Sequence, residues 1–522
     1  MGAASETSDA GETPESERAD GPPVRLALVH ARARAGDTAA PDDPEAAPPT
    51  PREDVFPPLG VTTLAGALLA RGGYEVRIVD DGLQPLEEVE DAMAWAEVVA
   101  ISASSPDARR ARELGEMSRR RFGRLTLIGG PHATSCPGYF LESGAADLCV
   151  LGPGEETLPA VVERRDDRRE WARLPGVCFL EDGRRVETAP RHPTGPLDEA
   201  PAPAYHLLDV PAYFARMATP GLPLQTSRGC PHGCVFCDPA MTPAAFRALS
   251  PARAVDLVEQ LVVDHDPPHL YLADDLFTVD RERALAFCRE LVARGLAVKW
   301  SCEGRADTMD LELLRWMRRA GCVQVRYGLE SGAPDARLTG KQDVSAEAVT
   351  AGARLTREVG IECVFVVLYG FPHETVAMHR VAEDLVAEAR PDRLLVDLLV
   401  PLPGTAVYEE VEASLTDDVT ETEYDAWGRR PTWDHPTLGH DQLQRERARL
   451  LEIHGRATGT ARHRWLRRWE RLRARLRHPV LLLDGLDILR RRALQGRRLA
   501  KRRAAGGRTP PRVQLPLPNV RT

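Results

Sequence analysis

The sequence predicts an α/β protein in which a doubly wound parallel sheet is followed by a (β/α)6 partial barrel and a helical C-terminal extension. Short apolar runs alternate with stretches of helical periodicity from Val24 to about Ala160, the pattern of parallel strands with crossover helices. A longer series of six such units begins at Leu222, as a barrel or partial barrel requires. Beyond Asp441 the strand pattern stops and arginines crowd in. At 522 residues several cores are expected, since domains hold roughly 100–200 residues each.

In chain order, residues 1–23 are rich in Ala, Glu, Ser and Asp and lack a basic start and an apolar stretch. They read as a disordered acidic leader, not a signal peptide. Residues 24–173 make the first domain, with strands expected at Val24–His30, Tyr74–Asp80, Val98–Ala103, Leu125–Ile128 and Leu148–Leu151 and helices such as Thr62–Arg71 and Asp107–Phe122. The Pro- and acid-rich stretch Gly36–Pro58 interrupts the first unit as a loop at the sheet's carboxyl edge. Residues 174–221 hold a hairpin, Val177–Leu180 and Arg185–Thr188 about Glu181-Asp182-Gly183, then a linker in which prolines recur from Pro190 to Pro223.

Residues 222–440 form the second series. Its strands are expected at Leu222–Ser227, His269–Asp274, Val298–Cys302, Val323–Gly328, Cys363–Tyr369 and Leu394–Val400, with helices at Pro251–Val263, Arg281–Arg294, Leu311–Ala320, Ala346–Val359 and Val376–Ala389. Residues 441–522 are the Arg-rich extension.

No stretch reaches the ~20 apolar residues of a membrane span. The net charge of -10 hides an asymmetry: Arg456–Thr522 carries +17 and the rest about -27, so the tail is a separate electrostatic object. Trp465, Leu466, Trp469, Leu472 and Leu476 recur there at helical spacing. Packing on the barrel is the first reading and peripheral contact with an anionic membrane face the second. No nucleic-acid module is recognisable. Ten cysteines without an export signal point to a reducing, cytoplasmic setting.

Chemistry concentrates in Cys230, Cys234 and Cys237. A C-x-x-x-C-x-x-C loop offers three thiolates, one for each of three irons of a cubane cluster, and leaves the fourth iron open. A zinc site would have to recruit His232 at an awkward position. Cys288, Cys302, Cys322 and Cys363 fall within helices or strands and read as core thiols. Cys136, Cys149 and Cys178 are clustered late in the N-terminal half.

The stretch Ser227–Cys237 resembles the cluster loop of the radical S-adenosylmethionine (SAM) superfamily, and the likeness runs from about Thr226 to Tyr408. It implies a 4Fe-4S cluster on Cys230, Cys234 and Cys237, with Phe236 against the adenine of SAM. It also implies that Asp274 and Asp275 meet the SAM amino group and that Arg305, Glu330 and Ser331 serve its ribose and carboxylate. Helix capping by the aspartates and a plain ion pair for Arg305 are the structural alternatives. Gly370-Phe371-Pro372 and Pro401-Leu402-Pro403-Gly404-Thr405 resemble the ends of the fifth and sixth barrel strands.

The first domain resembles the Rossmann-like cobalamin-binding domain upstream of the barrel in one radical SAM subclass. Carried over, Ser102, Ser104, Gly129, Gly130, Gly152 and Gly154 receive the nucleotide tail of cobalamin, and Pro58-Leu59-Gly60 opens the first helix. The D-x-H-x-x-G ligand motif of many cobalamin proteins is missing, which implies no protein nitrogen on cobalt, with His132 packed near the tail. A domain that merely binds substrate is the alternative.

The subclass implies methylation of an unactivated carbon, by a deoxyadenosyl radical and methylcobalamin, in a secondary-metabolite or lipid-like small molecule. An external electron donor such as a flavodoxin or ferredoxin would reduce the cluster. Oxidative cyclisation or ring rearrangement without methyl transfer is the second reading, and a cobalamin- or SAM-sensing regulator the non-enzymatic one.

Overall fold

The computed structural model describes residues 22–32, 55–192, 195–238, 240, 245–331, 339, 345–416 and 428–458, with scattered positions between 469 and 496. The acidic leader before residue 22, most of the Gly36–Pro58 loop and most of the tail lie outside the described residues.

The first sheet has seven strands: β1 (Val24–His30), β2 (Tyr74–Asp80), β3 (Val98–Ser102), β4 (Leu125–Gly129), β5 (Leu148–Val150), β6 (Val177–Glu181) and β7 (Arg184–Glu187). Their order is β2-β1-β3-β4-β5-β6-β7. β1 to β5 are parallel, as expected for a doubly wound sheet. The hairpin β6–β7 is hydrogen-bonded into the same sheet and antiparallel to β5, with Cys149 opposite Cys178. The sheet is therefore mixed. The physical reason is burial, since Val177, Cys178 and Phe179 are all covered and a free hairpin could not cover them.

The second sheet contains β8 (Leu222–Leu224), then, beyond a short antiparallel pair of β9 (Ser227–Arg228) and β10 (Arg247–Ala248), β11 (Leu270–Leu272), β12 (Trp300–Gly304), β13 (Cys322–Gly328), β14 (Glu362–Tyr369) and β15 (Arg393–Leu398). The order β15-β14-β13-β12-β11-β8 is parallel throughout, and no ladder joins β8 to β15. It is an open, partial barrel of six strands. The helices between strands begin where short polar side chains can cap them. Ser250, Asp280, Asp310 and Ser345 each accept the backbone N–H three residues on, satisfying a donor that the helix leaves free.

Side chains alternate across the barrel wall. Trp300, Cys302, Val325, Tyr327, Cys363 and Phe365 point to the helices and are buried there with Phe277, Phe287 and Cys288. Ser301, Glu303, Gln324 and Arg326 take the other face by the strand period of two. The four thiols expected in the core are buried. Helix His440–Thr458 then packs back on the barrel through Leu443 and Leu450. Farther on, Arg491 is buried and donates from Nη1 to the Leu296 carbonyl at 2.8 Å, whereas Trp469, Leu472 and Leu476 are 49%, 46% and 69% exposed. Among the described residues no helix is long and apolar enough to cross a membrane.

Candidate functional site

The carboxyl ends of the barrel strands gather the residues singled out in the sequence. Cys230, Cys234 and Cys237 form no disulfide and lie half-buried on one loop after β9. The loop has little regular structure and is held from outside. Gly229, at φ +85°, donates its N–H to Asp275 Oδ2 at 2.6 Å, a backbone conformation that only glycine adopts without cost. Val235 N–H donates to the Thr339 carbonyl and Val407 N–H to that of Val235, both at 3.2 Å. The Phe236 ring meets Phe371 edge to face at 5.6 Å, within a small apolar patch that includes Leu399 and Val407.

Asp274 departs from its expected role. Its carboxylate is fully buried and accepts from Thr226 N–H (2.5 Å), Thr226 Oγ1 (2.6 Å), Ser227 N–H (3.0 Å) and Ser227 Oγ (2.7 Å), with Arg283 Nη1 at 3.8 Å. Burial pushes this carboxyl up, while Arg283 and the four donors push back. A carboxylate so occupied has no lone pair left for an ammonium group, so Asp274 anchors the foot of the cluster loop. Asp275 beside it is half-buried and holds the loop through Gly229.

Arg305 grips Asp307 with Nε (3.1 Å) and Nη2 (2.7 Å), so the ion-pair alternative is realised. Asp307 raises its pKa most, burial opposes this, and Cys234 and Cys230 add smaller upward pulls. The guanidinium thus lies within electrostatic reach of two of the three cysteines, Cys234 and Cys230. Glu330 is buried at φ +56°, a costly conformation for a side chain of its size. Its N–H donates to the Val366 carbonyl (3.1 Å) and its own carbonyl accepts from Leu368 (3.3 Å). Ser331 beside it is also buried.

Three soft sulfur donors on one loop, two of them near a cation, fit an iron–sulfur cluster. Among the described residues no three His, Cys, Asp or Glu side chains converge on a single-ion position.

At the first sheet's carboxyl edge, Ser102 and Gly129 are register partners on β3 and β4. Gly152, at φ +70°, donates to Thr134 Oγ1 at 2.9 Å and leaves open space where a side chain would stand. Two other glycines serve the protein's own packing: a Cβ on Gly130 would stand 2.7 Å from the Ala103 carbonyl oxygen, and one on Gly154 3.0 Å from Leu64 Cδ2. Ser104 Oγ donates to Asp107 Oδ2 at 2.6 Å. Open space is therefore found at Gly152, whereas a Cβ on Gly129 would touch Val150 at 3.5 Å; small residues at Ser102, Gly129 and Gly152 fit a buried tail that needs small neighbours. His132 is fully buried, with Nδ1 3.1 Å from Ser105 Oγ and the Tyr139 and Phe140 rings edge-on. It is packed into the domain.

Sequence reasoning missed two features. Arg228, at the end of β9 where the cysteine loop begins, pairs with Glu155 in the first turn of helix Gly154–Glu163 at 2.6 Å, so the carboxyl edges of the two sheets meet. Gly404 lies close enough to Ser135 that a Cβ on it would be 3.1 Å from Ser135 Oγ. On the barrel's inner face, Glu303 accepts from Tyr271 OH (2.8 Å) and lies 2.9 Å from Arg326 Nε, whose guanidinium stacks on Tyr271 at 4.8 Å. Burial raises the Glu303 carboxyl against the pull of Arg326. A carboxylate and a guanidinium at alternate positions of otherwise apolar strands were the signal available for this group.

A model of the radical SAM superfamily matches residues 224–385, and one of the B12 binding domain matches residues 50–162. An uncharacterised methyltransferase of Pyrococcus horikoshii is 26% identical over 68% of this chain and 78% of its own length. The anaerobic magnesium-protoporphyrin IX monomethyl ester cyclase of Cereibacter sphaeroides is 29% identical over 68% of this chain, which spans 60% of that enzyme. Among solved structures, the radical SAM methyltransferase TsrM of Kitasatospora setae, with cobalamin and a 4Fe-4S cluster bound, superposes with a TM-score of 0.59 at 20% identity, covering 74% of this chain and 78% of that one.

Proposed function

Because the chain belongs to the radical SAM superfamily, in the subclass with a B12-binding domain ahead of the barrel, we propose that it methylates an unactivated carbon of a secondary-metabolite or lipid-like small molecule. The observation that carries this is the meeting of the two carboxyl edges through Arg228 and Glu155, which supports placing the cluster loop beside the edge that carries Ser102, Gly129 and Gly152. When bound, the cluster with SAM supplies hydrogen-atom abstraction and cobalamin supplies the methyl group.

The chain's residues bind and orient. Cys230, Cys234 and Cys237 hold the cluster, with Arg305 offsetting the thiolate charge. Phe236, Asp275, Glu330 and Ser331 would hold SAM. Ser102, Gly129 and Gly152 make room for the nucleotide tail. An external one-electron donor such as a flavodoxin or ferredoxin reduces the cluster. The exposed Trp469, Leu472 and Leu476 among arginines support peripheral contact with an anionic membrane face and hence a lipid-like substrate.

The second reading, oxidative cyclisation without methyl transfer, is favoured by the likeness to the magnesium-protoporphyrin ester cyclase. Turnover of candidate substrates with methyl-deuterated SAM separates the two. A product carrying the labelled methyl on carbon supports methyl transfer, and an oxidised product without label supports the cyclase.

A further inference from the structure

The loop that follows β14 is clamped by groups that the cofactor assignments leave unused. Glu374 is fully buried, and its Oε2 accepts the N–H groups of Gly370 (2.5 Å) and Phe371 (3.2 Å). His379, also fully buried, lies with Nε2 3.2 Å from that oxygen and Nδ1 3.9 Å from Glu446 Oε2, and stacks on the Tyr369 ring at 4.0 Å. Glu446 belongs to helix His440–Thr458 and is paired with Arg380 at 3.0 Å. Arg380 and Arg449 both bind Glu383.

From the other side, His435 Nε2 donates to the Phe371 carbonyl at 2.7 Å, while its Nδ1 accepts from Thr437 N–H (3.2 Å) and Leu438 N–H (3.0 Å). Those bonds fix one neutral tautomer. Thus the amides of Gly370 and Phe371 and the carbonyl of Phe371 are all held by side chains, and two of the groups involved, His435 and Glu446, come from beyond the barrel. The Phe371 ring they fix is the one packed on Phe236, next to Cys237.

A purely structural plug would be apolar, because buried polar groups left partly satisfied are costly. Here Tyr369 OH and Glu374 Oε1 are buried without a hydrogen-bond partner among the described residues. The cost is tolerated next to the loop that faces the cofactor.

We propose that the post-barrel segment Trp433–Thr458 forms part of the SAM site: His435, His379 and Glu446 are positioning residues that fix the Phe371–Phe236 pair against the adenine. This rests on the assignment of Cys230, Cys234 and Cys237 to the cluster.

The test uses the full chain, reconstituted anaerobically, with SAM as the probe. His435→Leu removes both hydrogen-bonding functions, and His435→Gln keeps an N–H donor. Iron content and the visible spectrum report the cluster independently of SAM. In His435→Leu the SAM dissociation constant is expected to rise about tenfold, as for a buried carbonyl left unpaired. The change that SAM induces in the electron paramagnetic resonance spectrum of the reduced cluster shifts, and both recover in part in His435→Gln. If His435→Leu fails to fold, Glu446→Gln and His379→Gln are expected to show the same pair of changes. A full cluster with unchanged SAM affinity and spectrum in the folded variants overturns the proposal. Absence of a cluster in the unsubstituted protein overturns the reading on which it rests.

Discussion

Asp274→Ala tests whether this residue builds the site or belongs to it. The substitution removes one acceptor group from two backbone amides, Thr226 and Ser227, and from the two hydroxyls of the same residues. The hydroxyls can turn elsewhere, but the amides are buried with nothing to replace Asp274, at about 1–3 kcal/mol each. Arg283 also loses its buried counter-charge, softened because its Nη2 still donates to the Thr226 carbonyl at 2.7 Å and its Nε to that of Leu249 at 3.2 Å. Together these give a loss of about 4 kcal/mol, or roughly 10 °C in melting temperature for a barrel of this size. The assay is anaerobic thermal denaturation of the iron-free protein, with iron content after reconstitution as a second readout. Asp275→Ala is the control: its carboxylate is half-buried, and loss of the Gly229 bond costs about 1 kcal/mol, with the larger effect on SAM affinity. A melt of Asp274→Ala within about 3 °C of the parent would refute the anchoring role.

Cys230→Ala, Cys234→Ala and Cys237→Ala should each leave reconstituted protein without a full cluster and without SAM cleavage; full iron content with turnover in any of them removes that cysteine from the ligand set. His132→Ala should leave a base-off cobalamin spectrum in place while lowering stability by about 2–3 kcal/mol through the cavity beside Tyr139 and Phe140, and a change of cobalt ligation would show that the histidine reaches the metal. Burial, reinforced by Lys299, holds His269 down at about 4 against an ordinary 6.5, so between those values the unfolded chain binds the extra proton. The stability this group contributes is whole above pH 6.5 and falls by up to about 3 kcal/mol as pH drops toward 4. Urea melts should therefore show a shallower pH slope in His269→Gln, and an unchanged slope would assign the titration elsewhere. Truncation after Gly455 should spare cluster assembly and abolish salt-sensitive sedimentation with anionic vesicles; equal sedimentation of both forms would remove the membrane contact.

Where residue type and spacing both speak, the sequence was legible. β1, β2 and the helices Leu311–Ala320 and Val376–Ala389 fall at their expected residues, because apolar runs end at polar caps or at glycine. The three cysteines were legible for the same reason: thiols that recur at loop spacing beside glycines do not suit a core. What was hidden depends on partners distant in the chain. Asp274 has the same neighbours in sequence as Asp275, and only the fold shows that one side chain turns back on Thr226 and the other outward to Gly229. Glu374, His379, His435 and Glu446 look like ordinary helix and loop residues until the extension folds back over the barrel. The hairpin was recognised but not its place in the first sheet, since edge pairing is decided by which surface remains to be covered.

The pairing of Arg228 with Glu155, and the approach of Gly404 to Ser135, also tie the two halves of the molecule together. Arg228 leads directly into the loop of the three cysteines, so a shift of the first domain is felt at the foot of that loop. The tie is a partly exposed ion pair, weak by itself and screened by salt, so it sets the alignment of the two sheets more than it adds to their stability.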